Sequence, residues 1–143
     1  MFFQNINPGT DAEKVFIAVK NSYSTSAVTA GQAVCWDLTT DLDGVSVTKP
    51  TAALLNCPAG LVASTSIAIN GTGLVQVYGI NANAYIDGSS GTVGGTALRC
   101  VDAVFSLLRV STAWLHGGFV FNSAAVDSTG AAVGSQKVFI RGL

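Results

Sequence analysis

Short apolar runs, each cut off by glycine, asparagine or aspartate, follow one another along the whole chain. Val15-Phe16-Ile17-Ala18-Val19-Lys20 has the β-branched and aromatic content of a strand, although so short a run also admits a helix. After the polar stretch Asn21 to Ser26 and a turn at Thr29-Ala30-Gly31, Ala33-Val34-Cys35-Trp36-Asp37-Leu38 reads as a second strand. Asp43-Gly44 marks a turn, and Lys49-Pro50 ends the short strand that begins at Val45.

The middle of the chain carries the strongest pattern. In Leu74 to Ile80, alternation puts Val75, Val77 and Gly79 on one face and Leu74, Gln76, Tyr78 and Ile80 on the other. The β-prone stretch Leu61 to Ile69 precedes it, with Ile67 and Ile69 predicted to share a face. Asn70-Gly71-Thr72-Gly73 lies between as a turn, so a hairpin is predicted. Ala84-Tyr85-Ile86 leads to a further turn at Asp87-Gly88, followed by a loop containing Gly91, Gly94 and Gly95. Asp102 to Val110 admits either a two-turn helix or a strand, and its β-rich surroundings favour strand. In that strand Val104, Ser106, Leu108 and Val110 share one face, with Phe105, Leu107 and Arg109 opposite. Phe119-Val120-Phe121 and Lys137 to Arg141 complete the series. Many short strands at this spacing predict an all-β fold, a compact barrel or sandwich of short antiparallel strands. Residues 13–143 form a single β-rich domain on this reading, and residues 1–12 an extended N-terminal arm.

Gly31-Gln32-Ala33-Val34 and Gly60-Leu61-Val62-Ala63 are loosely alike, and both are expected where strands begin. No exact internal repeat exists.

Composition changes the picture mainly by what is scarce. Charged residues make up 10% of the chain against about 25% in average globular proteins, so polarity comes from hydroxyls and amides. Such a surface packs closely on another protein, because few ions must lose their water. It also protects a free monomer poorly from association, so a homo-oligomer is expected. The four lysines and three arginines are scattered and balanced by acids, which argues against a nucleic-acid partner. Met1-Phe2-Phe3 runs straight into Gln4-Asn5 with neither a basic segment nor a long apolar run. No signal peptide or membrane span is expected, and synthesis in a cytoplasm fits.

Candidate chemistry is sparse, and no catalytic residue, cofactor or metal ligand set is assigned. The single histidine, His116, has Ser106, Ser111 and Asp102 nearby in sequence but matches no catalytic spacing. It is read as a loop or interface hydrogen-bonding residue. Asp37, Asp41 and Asp43 alternate as calcium ligands can, but the distal glutamate of a calcium loop is missing; turn-forming aspartates are the reading. Gly91-Thr92-Val93-Gly94-Gly95 lacks the lysine and helix of a phosphate loop and reads as a plain glycine loop. Cys35, Cys57 and Cys100 form no close pair in sequence, and buried or half-buried free thiols are expected. Trp36, Tyr78, Tyr85 and Trp114 could line a sugar-binding surface, but packing is the preferred role. Met1, Phe2 and Phe3 at a terminus need a surface to dock on, and a neighbouring subunit is the candidate. Together with Trp114 and His116 they are the expected interface residues.

The run Gly31-Gln32-Ala33-Val34, then Trp36-Asp37-Leu38 and Ala59-Gly60-Leu61-Val62-Ala63, resembles the opening of small head decoration proteins of tailed bacteriophages. Ile67-Ala68-Ile69-Asn70-Gly71-Thr72-Gly73-Leu74-Val75-Gln76-Val77-Tyr78-Gly79 resembles their glycine-marked β core. Tyr85-Ile86-Asp87-Gly88 and Gly94-Gly95-Thr96-Ala97-Leu98 stand where the following turn and strand would be. The likeness spans about residues 15–100 and fades beyond them. It implies a β-barrel or tulip-like sandwich on the outer surface of an icosahedral head, in the virion. It further implies a homo-oligomer, trimer favoured, that cements the major capsid protein without catalysis. The alternatives are a carbohydrate-binding or host-recognition module, with Trp36 or Trp114 exposed in a concave surface, and another virion part such as a tail subunit.

Overall fold

The computed structural model describes residues 13–42, 44–87, 95–110, 118–121 and 132–141. The predicted arm over residues 1–12 lies outside them. Among the described residues eleven strands follow in chain order: β1 Val15–Asn21, β2 Val28–Thr29, β3 Ala33–Trp36, β4 Ser46–Thr48, β5 Pro58–Val62 and β6 Ser66–Ile67. Then come β7 Thr72–Asp87, β8 Ala97–Cys100, β9 Leu107–Arg109, β10 Phe119–Phe121 and β11 Ala132–Arg141. Among the described residues there is no helix, and the fold is all-β as the pattern predicts.

Five strands close on themselves. β1 pairs with β4, β4 with β3, β3 with β5, β5 with β7, and β7 returns to β1, which makes a five-stranded barrel. Closure leaves no unpaired edge within this set. Of the two architectures the pattern allowed, barrel is the one adopted. β7 then runs on beyond the barrel, where it pairs with β11; β10, β8 and β9 continue the sheet. β9 comes back to β7 through one parallel pair, Ile86 with Leu107. β2 and β6 form a separate two-stranded ribbon.

Two apolar cores result, and β3 and β5 form the wall between them. Val19, Val28, Val34, Val47, Val62, Ile67, Val75 and Val77 fill the barrel. On the other side Leu61, Ile86, Leu98, Leu107, Phe119, Val138 and Ile140 pack with Ala33, Cys35 and Cys100. Alternation along β3 sends Ala33 and Cys35 one way and Val34 the other. In β5 the alternation breaks: Ala59 and Val62 face the barrel while Leu61 faces the second core. The cause is Gly60, whose φ of 148° bends the strand. A Cβ there would stand 2.2 Å from the carbonyl oxygen of Gln76 on β7, so only glycine lets the wall close. Gly31 is a parallel case, with φ 83° and a Cβ position 1.9 Å from the Asn83 oxygen. The two glycine-led runs thus share a role: each brings the chain against the backbone of β7.

Several expectations are corrected. The strands are neither all short nor all antiparallel, since β7 has 16 residues and β1–β4 and β7–β9 pair in parallel. β3 stops at Trp36, before Asp37 and Leu38, because the Asp37 side chain caps the turn that follows. Ile67 is buried but Ile69 is exposed, since the chain turns over Ala68 to Gly71 with Asn70 at φ 58°. The hairpin ladder forms between β5 and β7, pairing Leu61 with Gln76 and Val62 with Val75, while Ser66–Ile67 leaves it to join β2. In Asp102–Val110 only Leu107–Arg109 is strand. Its first part instead turns, with Ala103 at φ 59°, and docks on the barrel: Ala103 N–H donates to Pro50 O, and Ala33 N–H to Phe105 O.

Candidate functional site

The described surface offers one coherent apolar face, the outside of the β1–β7 ladder. Directly opposed residues share a face, and the register sets Phe16 against Gln76, Ala18 against Leu74 and Lys20 against Thr72. Ile17 and Val75, the intervening pair, point inward. Phe16 and Leu74 are 45% and 46% exposed although both are paired in the β1–β7 ladder, Phe16 next to the register shift after Val15. A shallow groove runs beside Phe16, bounded by Ala30, Ala63, Asn81 and Asn83.

Gln76 forms the floor of that groove and is buried. Its Nε2 donates to Tyr78 O at 3.1 Å and Ile80 O at 3.2 Å, and its Oε1 accepts from Asn81 Nδ2 at 3.1 Å. Asn81 Oδ1 in turn accepts from Asn83 N at 2.8 Å. These amides are therefore spent on holding β7 through the region where its buried face changes. The face presents hydrocarbon and neutral amides, with Lys14 and Lys20 at its two ends, which suits contact with another protein.

A second apolar group projects from the β3–β4 turn. Leu38, Leu42 and Val45 are exposed, Leu42 at 84%. The turn is fixed from within by Asp37, which is almost fully buried. Its carboxylate accepts from Ser22 Oγ at 2.6 Å, from Thr39 Oγ1 at 2.7 Å, from Thr40 Oγ1, and from the N–H groups of Thr39 and Thr40 at 3.3 Å. Burial opposes its ionisation, but the hydrogen bonds from Ser22, Thr40 and Thr39 outweigh it and hold the carboxyl well below the usual range. The turn-forming reading thus fits Asp37, while Asp43 lies outside the described residues. Among the described residues no group of three or more His, Cys, Asp and Glu side chains could hold a metal.

The other polar anchor is Asn21, fully buried at the end of β1. Its Nδ2 lies 3.0 Å from Ile67 O and 3.3 Å from Ser26 O and Ala68 O, and its Oδ1 accepts from Tyr23 N at 3.0 Å. It ties β1 to the turn that leads into β7. Lys49, at the exit of β4, places Nζ 5.7 Å from the Tyr23 ring centroid and 5.5 Å from that of Phe105. Those rings meet edge to face at 5.5 Å. Trp36 is half-buried and packs on the barrel core, and Tyr78 stacks edge to face with Phe139.

The interface residues expected from sequence, Met1, Phe2, Phe3, Trp114 and His116, all lie outside the described residues, as does Gly91 to Gly94. Sequence reading missed the Phe16–Leu74 face. Its signal was present in β1, where Phe16 stands on the face opposite Ile17 and Val19. No protein-family model matches the chain, and no curated protein matches it.

Proposed function

We propose that the chain is a bacteriophage capsid decoration protein that binds the outside of the head and cements neighbouring major capsid subunits. On this reading it works without catalysis, as a homo-oligomer with a trimer favoured, and resides on the virion surface after synthesis in the host cytoplasm. The observation that carries the reading is the exposed apolar cluster Phe16–Ala18–Leu74, flanked by Lys14 and Lys20 and set on a closed barrel that holds it rigid. A stiff module gives up little conformational freedom on docking, and a surface with few ions gives up little hydration. Modest contacts repeated over a lattice then sum through multivalency. The resemblance of residues 15–100 to phage head decoration proteins supports the same role.

Purified protein added to capsids that lack it should saturate them at a fixed stoichiometry and run as a discrete oligomer alone. Replacing Phe16 and Leu74 together by serine should weaken capsid binding roughly tenfold or more while the fold is kept. Deleting residues 1–9 should also weaken attachment and leave the fold intact. A monomer that ignores capsids would overturn the reading.

A further inference from the structure

Cys35 and Cys100 are far apart in sequence and meet in the second core. Cys35 is the penultimate residue of β3, in the wall, and Cys100 ends β8. These two strands are not laddered to each other, yet they approach across the core. Both thiols are free, their exposures are 0% and 1%, and both belong to the same buried cluster. Cys57, the third cysteine, is half-buried at the surface beside Pro58, Gly118 and Arg141. A buried thiol normally packs as a small hydrophobe. Two in one core, on strands that approach without a shared ladder, are placed for a bond that would tie those strands together.

We propose that Cys35 and Cys100 form a reversible intramolecular disulfide that locks β8 onto the β3–β5 wall. The inference is independent of the capsid reading. The oxidant is a small-molecule disulfide. Cys35, as thiolate, attacks one of its sulfurs, forms a mixed disulfide and expels one small thiolate. Cys100 gives up its proton, attacks the Cys35 sulfur and expels the second. Two protein thiols have then lost two electrons and two protons, and one disulfide has been reduced to two thiols. The neighbouring Cys100 lowers the Cys35 pKa and favours the Cys35 thiolate. Because both sulfurs are buried, the reagent reaches them when the short strands β8 and β9 open.

The test uses the full chain in oxidised glutathione with enough urea to permit local opening but not unfolding. Free thiols are then alkylated, and the chain is cut before its aspartates. Such cleavage separates Cys35 in residues 11–36, Cys57 in 43–86 and Cys100 in 87–101. The proposal expects the first and third peptides joined, with a mass about 2 Da below their sum. It also expects a rise in Tm on the order of 5–10 °C, reversed by a reducing thiol. Cys57→Ser should keep the link and the shift; Cys100→Ala should abolish both. Cys35 and Cys100 still alkylated, or each carrying its own glutathione, would overturn it, as would a link through Cys57.

Discussion

The two cores on either side of the β3–β5 wall are held together differently. The barrel core is mostly valine, and its five strands close through ladders of two or more residue pairs. β-branched side chains suit such a pleated, twisted wall. The second core uses larger side chains, Phe119, Leu61, Leu98, Leu107, Ile86 and Ile140, and two thiols. Its strands β8, β9 and β10 are short, and β9 meets β7 at one pair. Backbone pairing in the second half is concentrated in the β7–β11 ladder of seven pairs, while β8, β9 and β10 rely more on side-chain packing. The exposed Phe16 and Leu74 lie on the β1–β7 ladder of six pairs, and the two buried thiols lie between the wall and the short strand β8.

The sharpest way to break this division is to attack the wall itself. Gly60→Ala forces a Cβ into the Gln76 carbonyl at positive φ and should destabilise both halves together, by roughly 3–6 kcal/mol, or prevent folding. Chemical denaturation followed by both tryptophan fluorescence and circular dichroism would check that the two signals fall together. Phe119→Ala instead empties one core. It should cost about 3–5 kcal/mol and leave the β1–β7 amides better protected than those of β8 and β9. Equal loss of protection in both halves would erase the distinction.

Asp37→Asn should cost about 1–3 kcal/mol, because a buried acceptor of five hydrogen bonds is replaced by a group that is half donor. Its pH dependence has a definite sign. The folded pKa lies below the unfolded value of about 4, so the carboxylate's contribution is complete above about pH 4. That contribution is lost as pH falls toward the folded pKa. Denaturation midpoints at pH 6 and pH 3 should therefore differ more for the native chain than for Asp37→Asn. The smallest effect is expected at Lys49→Met, about 0.5–1 kcal/mol, from loss of the ammonium over Tyr23 and Phe105. It should loosen the docking of Phe105 on the barrel without touching the ladders.

Much of this fold can be read from local pattern. The alternation of Val75, Val77 and Gly79 places β7, and Val15 to Lys20 places β1, because period-two burial is written in consecutive residues. What local pattern cannot show is a strand with both faces buried between two cores. β3 and β5 therefore look like ordinary short strands, and Leu61 gives no sign that it turns away from Ala59 and Val62. Asp37 reads as a turn residue, which it is, but the hydroxyl of Ser22 that completes its shell comes from a distant part of the chain. The Cys35–Cys100 contact is invisible for the same reason. The exposure of Phe16 had a local signal that sequence reading passed over, an aromatic on the strand face opposite Ile17 and Val19.

Native-state hydrogen exchange on the reduced protein tests the central claim, that the barrel is rigid and that the short strands β8 and β9 open before it. The account predicts that amides in Ile17–Lys20 and Val75–Val77 exchange only with global unfolding. Those in Ala97–Cys100 and Leu107–Arg109 should exchange at least tenfold faster, equivalent to about 1.4 kcal/mol or more of easier opening. Uniform protection across both sets, or slower exchange in β8 and β9, would contradict it.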